Sequence, residues 1–174
     1  MHETPVAPRA DADAGVAQLF RTHRLAMVRL ASLLVDDRET AEDVAQDAFA
    51  ALHRRWASLA NTDAAIGYLR TSVVNGSRSI LRRRRTVRLH PAPDESLLTS
   101  EAADSIAMVA EEHREVLVAI RRLPDRQREV ILLRYWSGLS ESEIAATLGI
   151  SIGAVKSNAS RGRDAIAATL GGAR

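Results

Sequence analysis

Between Gly153 and Asp164 the chain sets a series of hydrogen-bond donors at helical spacing: Lys156, Ser157, Asn158, Ser160 and Arg161. The chemistry they can do is donation. Lys156 and Arg161 suit the N7 and O6 acceptors that guanine presents in a major groove. Ser157 and Asn158 suit phosphate oxygens, which position a protein without reading sequence. Gly153, Ser157 and Ser160 are small enough for a helix N-terminus to come close to a duplex, and the helix dipole adds partial positive charge at that end.

Such a face needs a supported helix, and the preceding residues spell one out. Ser140 and Glu143 have the spacing of a capping box, each side chain within reach of the other's backbone N–H. Ile144, Ala145 and Leu148 share a face, Gly149 is suited to the left-handed stop, and Ser151 is suited to cap the next helix. Val155, Ala159, Gly162, Ile166 and Leu170 then repeat at three- and four-residue steps as an inner stripe. Short helix, Gly turn and a second helix with a cationic outer face make the helix-turn-helix pattern. An ordinary helical hairpin with a solvated polar face is the plainer alternative. The joint occurrence of box, turn, stripe and cations weighs against it.

A second basic group lies upstream. Thr71–Arg88 holds Arg78, Arg82, Arg83, Arg84, Arg85 and Arg88 and no acid, with Asn75 beside them. An arginine run can be a solubilising helix end, favoured there by the dipole. Beside Asn75 and Arg78 it points instead to nucleic acid. Asp94–Glu115 is acidic, with Arg114 its one cation, although the whole chain has a net charge of only +2. Glu42, Asp43, Gln46 and Asp47 form an acid-rich outer face on another helix, either solvated or a dock for a basic partner. Trp56, Tyr68, Tyr135 and Trp136 are the notable aromatics; Trp56 and Tyr68 could stack on bases, at about 1–3 kcal/mol each, but packing is the expected role of each. The five histidines lack metal-ligand spacing, and no P-loop, Ser–His–Asp order or carboxylate pair stands out. The expectation is therefore no enzyme, no cofactor and no metal.

Length and composition set the frame. The 174 residues are rich in alanine and aliphatics, only 3% aromatic, and contain no cysteine. No window has the roughly 18 apolar residues of a membrane span, and the N-terminus lacks a signal-peptide pattern, so the expected location is cytoplasmic. The pattern predicts an all-α fold of two small helical domains. Residues 1–15 read as a disordered leader, with Pro5 and Pro8 opposing a helix and the first helix starting near Asp13. The first domain is 16–88. Its first helix carries Val16, Leu19, Phe20, His23, Met27, Leu30, Ala31 and Leu34 inward. Its second starts at a cap near Asp36, runs to about Leu59 and turns Ala41, Val44, Ala45, Ala48, Phe49 and Leu52 inward. Its third runs from about Ala64 to Arg85, with Arg78 and the arginine run outward. Residues 89–109, acidic and broken by Pro91 and Pro93, are a flexible linker. The second domain is 110–170, with Pro124 at the first position of a helix that runs to Trp136.

These stretches together resemble a known family. Ala41–Phe49 (AEDVAQDAF), Tyr68–Arg85 (YLRTSVVNGSRSILRRRR) and Leu123–Ile166, in this order and at this spacing, resemble the extracytoplasmic-function (ECF) sigma factors of the bacterial sigma-70 family, actinobacterial and SigE-like in type. The resemblance implies sigma domain 2 in the first half and the helix-turn-helix sigma domain 4 in the second. It implies that Asp43, Gln46 and Asp47 meet the β′ clamp helices of core RNA polymerase, and that the second domain meets the β flap. Asn75, Arg78, Arg82 and Arg83 would serve the promoter −10 element, with a flipped base held near Ala60–Ala65. Lys156, Ser160 and Arg161 would read the −35 element, with Ser157 and Asn158 on phosphate. The linker would enter the RNA exit channel, and an anti-sigma factor would be a further partner. Tyr68, Gly76, Ser79, Ser142, Asn158 and Ala159 depart from the commoner family residues and bear on which promoter is read. Two rivals stay open from the residues alone: a self-sufficient helix-turn-helix regulator, and an adaptor that uses both domains for protein contacts.

Overall fold

The computed structural model describes residues 9–35, 37–88 and 114–171 of the chain. The Pro5/Pro8 leader residues, the proposed cap Asp36, the linker with Val109, the start of the helix expected from Ile106, the side chains of Arg85 and Arg88, and residues 172–174 lie outside them. Within the described residues the structure is all-α. Seven helices follow in order: α1 Arg9–Leu34, α2 Arg38–Arg55, α3 Thr62–Arg88, α4 Arg114–Arg121, α5 Asp125–Ile131, α6 Glu141–Leu148 and α7 Ile152–Gly171. A 3₁₀ turn, Trp56–Ser58, follows α2, and a π-helical turn, Leu132–Trp136, continues α5.

Helices α1, α2 and α3 pack on one another, and α7 is the post against which α4, α5 and α6 pack. The inward set of α2 is the expected one: Ala41, Val44, Ala45, Ala48, Phe49 and Leu52 are all buried. Gly76 in α3 lies where a Cβ would stand 3.3 Å from Val44 Cγ1, so it marks close α2–α3 packing. In the second group Leu132 and Leu133 are both buried at adjacent positions, while Tyr135 and Trp136 are 57% and 40% exposed. The π turn accommodates this. Its widened ring, closed by the Ser137 N–H on the Leu132 carbonyl at 3.0 Å, carries two neighbouring leucines inward. Packing, expected of Tyr135 and Trp136, is thus not their role.

Several boundaries differ from the sequence reading. Helix α1 begins at Arg9, so 9–15 is helix rather than leader. There Gly15 leaves room for the Trp56 ring, which a Cβ would strike. Leu19 and Met27 are buried as expected, but Phe20, also expected inward, is 39% exposed, with its ring edge-on to Phe49 at the margin of the core. Helix α2 stops at Arg55 rather than near Leu59, and its cap is Asp37, whose carboxylate accepts the Thr40 N–H at 2.8 Å. Asn61 accepts the Ala64 N–H at 2.9 Å and starts α3 earlier than expected. Pro124 is the N-cap of α5, in extended conformation, not its first helical residue.

Asp37 also joins α2 to the far end of α3. Arg84 reaches it at 2.9 Å and Thr40 Oγ1 at 2.7 Å. Partial burial pushes the Asp37 carboxyl up, but the Thr40 hydroxyl and N–H and the Arg84 guanidinium outweigh it and hold it below the ordinary 3.8. A carboxyl depressed on folding stabilises the protein above its unfolded value, and that contribution goes as pH falls below about 3.8. Asp37→Ala should therefore cost about 0.5–2 kcal/mol at neutral pH. The gap to the parent should close in acid, read by denaturant unfolding at pH 7 and pH 3.

A tighter constraint sits on α7. At Gly162 a Cβ would lie 2.8 Å from Ile131 Cγ1, an atom close to the α5 backbone. Alanine would gain up to about 1 kcal/mol of helix propensity but would push α5 and α7 apart, at about 1–3 kcal/mol. The expected net result of Gly162→Ala is a lower unfolding midpoint with an unchanged denaturant slope.

Candidate nucleic-acid interface

Helix α7, Ile152–Gly171, is positioned by local chemistry. The Ser140–Glu143 box is formed in both directions: the Glu143 N–H donates to Ser140 Oγ at 3.3 Å and the Ser140 N–H to Glu143 Oε2 at 2.8 Å. The Ser140 hydroxyl and N–H, with the charge of Arg70 adding to them, hold the exposed Glu143 carboxyl below its ordinary value. The contribution of the ionised Glu143 to the box is therefore full above its ordinary value and is lost as pH falls through the lowered one. Gly149 sits at φ +63°, ψ +41°, a left-handed position that sharply redirects the chain. Ser151 Oγ then accepts the Ala154 N–H at 3.1 Å and opens α7. Val155, Ala159 and Gly162 face the core.

That seating turns the outer residues of α7 to solvent. Lys156, Ser160 and Arg161 are exposed, and Ser157 and Asn158 are half-buried. Lys156 Nζ stands 3.7 Å from Glu141 Oε2, and Glu141 also meets Arg134 at 3.3 Å. Such exposed pairs are worth at most about 1 kcal/mol, so Lys156 is held only loosely. Arg161 has no ion pair among the described residues. Asn158 is less available than its type implied: its amide donates to the Ala154 carbonyl of its own helix at 2.7 Å.

On α3, Asn75, Arg82 and Arg83 are exposed. Arg78 is not, and this corrects the expectation that it faces out. Its side chain is 27% exposed and grips Glu129 of α5 with two hydrogen bonds, Nε–Oε1 at 2.5 Å and Nη2–Oε2 at 2.6 Å. Arg84 is likewise committed to Asp37 and Thr40. Pairings across 51 and 47 residues leave no local trace in a sequence.

Asp43, Gln46 and Asp47 of α2 are exposed together. Beside them is a groove of about 300 Å³, lined by Phe20, Arg24, Asp43, Gln46 and Phe49 among others. The Phe20 ring stands edge-on to Phe49 with centroids 5.0 Å apart, and Arg24 lies 5.7 Å from the Phe20 ring centre. An apolar floor under an acidic rim is thus added to the charged face read from the sequence. Its signal was Phe20 followed by Arg24 at i,i+4, which a reading of α1 as purely amphipathic absorbs into the core.

No cluster of metal-ligating side chains occurs among the described residues, and none of their helices is long and apolar enough to cross a membrane.

Comparison with known proteins bears on the family and the fold. The family model for sigma-70 region 2 matches residues 19–87, and that for sigma-70 region 4 matches residues 113–166. The RNA polymerase sigma-E factor of Streptomyces antibioticus is 35% identical over 83% of this chain and 78% of its own length. The ECF RNA polymerase sigma factor SigM of Mycobacterium tuberculosis is 37% identical over 88% of this chain and 76% of its own. Among solved structures, the sigma factor RpoE of Bartonella quintana, in complex with the anti-sigma factor NepR, has a similar fold. Its TM-score is 0.69 and its identity 24%, covering 91% of this chain and 98% of that one. CnrH, in complex with the cytosolic domain of CnrY, has a TM-score of 0.63 at 25% identity, covering 94% and 97%.

Proposed function

Because the chain belongs to the extracytoplasmic-function branch of the sigma-70 family, we propose that it directs promoter-specific transcription initiation by core RNA polymerase, in the cytoplasm and without catalysing a reaction itself. The observation that carries this reading is the capped helix-turn-helix of the second half, with Lys156, Ser160 and Arg161 turned outward on the first turns of α7. A helix so presented fits the major groove of a −35 element, where cationic donors meet guanine edges. Ser157 supports it from the backbone side, while Asn158 must first release the Ala154 carbonyl.

The first half takes the other tasks. Asn75, Arg82 and Arg83 on the exposed side of α3 serve the −10 element, joined by Arg78 once it leaves Glu129. The outer face of α2, with Asp43, Gln46 and Asp47, docks on the β′ clamp helices of core polymerase, and Phe20 gives that dock an apolar anchor. Region 4 meets the β flap. The domain limits follow the same division, with 16–88 as region 2, 110–170 as region 4 and 89–109 as the linker between them. An anti-sigma factor is a further partner. This is supported by the two structural neighbours, each solved with a second protein: the anti-sigma factor NepR with one and the cytosolic domain of CnrY with the other.

Run-off transcription tests the reading. Core polymerase with this protein, on fragments of its genome, should initiate at a discrete set of promoters that core alone ignores. Footprinting of a palindromic site by the protein alone, with no core-dependent start anywhere, would overturn it in favour of a stand-alone regulator.

A further inference from the structure

We propose that Glu141 is a positioning residue for −35 reading. Its carboxylate holds Lys156 ready for a base edge and makes a move of Lys156 to an indifferent phosphate less favourable. The consequence for promoter choice rests on the −35 role proposed for Lys156, whereas the pairing of the two side chains does not.

The first turn of α6 carries two acids, Glu141 and Glu143. Glu143 is spent on the cap, where its Oε2 accepts the Ser140 N–H at 2.8 Å and the Ser140 hydroxyl at 2.6 Å. Glu141 instead meets two cations from two other elements. Its Oε1 stands 3.3 Å from Arg134 Nη1 of the π turn, and its Oε2 stands 3.7 Å from Lys156 Nζ of α7. Each oxygen thus has its own cation. The Glu141 and Arg134 side chains are 31% and 35% exposed, against 65% for Lys156. The Arg134 guanidinium also lies 6.0 Å from the centre of the Tyr135 ring. The carboxylate is therefore fixed from the Arg134 side, and Lys156 is the freer partner.

An ammonium group has three N–H donors. One turned to Glu141 leaves two for the acceptors of a guanine edge, and the pair limits where Nζ can stand. A phosphate contact needs no such direction and is found on any duplex. To make one, Lys156 must give up Glu141, and the carboxylate itself repels the phosphate. Glu141 thus weakens attraction to DNA in general while leaving the base contact available. The pair is exposed and screened by salt, so the bias it adds is at most about fivefold.

Lys156 is the only lysine in the chain, so its side chain can be observed alone. In full-length protein made with ¹³C,¹⁵N-lysine, the Lys156 side-chain resonances should move on Glu141→Gln, which keeps the shape and removes the charge. They should stay in place on Glu115→Gln, which removes an exposed charge from the first turn of α4. Holoenzyme assembled with each variant then transcribes two run-off templates, one with its −35 box intact and one with the box scrambled. Glu141→Gln should raise transcript from the scrambled template by about twofold to fivefold. Transcript from the intact template should stay at the parent's level, so that the ratio falls by the same factor. The salt slope of DNA binding should steepen by about 0.9, one further charge facing phosphate. Glu115→Gln should leave the ratio at the parent's value. In a Lys156→Ala background the effect of Glu141→Gln on the ratio should vanish, because Glu141 acts through Lys156. Resonances that do not move, a ratio that does not fall, a fall due only to loss from the intact template, or an undiminished effect in the Lys156→Ala background would each overturn the proposal. A moved resonance with a parent that transcribes both templates equally would leave the pair standing and remove the −35 reading, and with it the role assigned to Glu141.

Discussion

Replacing both cations of the recognition helix, Lys156→Ala with Arg161→Ala, should abolish discrimination of the −35 element and leave the protein folded. Each well-made contact from a cationic side chain to a base edge is worth about 1–3 kcal/mol, so the pair should lower use of an intact promoter by about 100-fold or more. Stability should barely change. Arg161 is exposed, Lys156 is tied only to Glu141 across 3.7 Å in an exposed pair, and alanine suits a helix interior better than either. The informative measurement is the ratio of run-off transcript from a promoter with its −35 box intact to one with the box scrambled. In the parent the ratio should be large, and in the double variant close to one. The salt dependence of DNA binding separates two modes of contact. Loss of a phosphate contact lowers the slope by about 0.9 per charge while leaving the ratio unchanged, whereas loss of base reading removes the ratio itself. A double variant that keeps the parent's ratio would show that α7 does not read the box.

The largest expected loss of stability comes from Ile144→Ala. Ile144 is fully buried at the centre of α6, the helix that holds α7 in place. Truncation of an isoleucine in such a site costs about 2–5 kcal/mol, made up of lost transfer energy and the cavity left behind. Against a typical total of about 5–15 kcal/mol, that is a large fraction. The unfolding midpoint should fall with little change in the denaturant slope. Ile144→Val, which removes one methyl group, should cost only about 0.5–1.5 kcal/mol. Because α6 also lies against α3, the alanine variant should loosen region 4 and the junction with the first half together. A cost under about 1 kcal/mol would mean that the α6 site collapses around the smaller side chain.

What the sequence determined by itself was local or periodic. The Ser140–Glu143 box, the Gly149 stop and the Ser151 cap are each completed within three or four residues, so residue type and spacing are enough to specify them. The buried faces of α2 and α7 follow from helical period, since a stripe repeated every three or four residues has only one side to bury. The exposed Lys156, Arg161, Asp43 and Asp47 were legible as the complement of those stripes. Tertiary structure alone decided the rest. Arg78 and Arg84 look alike in a basic run, and what separates them from Arg82 and Arg83 is a carboxylate 51 or 47 residues away. Phe20 faces solvent because neighbouring helices compete for the same core, and the π turn at Leu132–Trp136 exists because two adjacent leucines both go inward. The physical reason is one of range. Capping and periodicity act within a turn or two of helix, whereas burial and ion pairing depend on which distant surface arrives opposite.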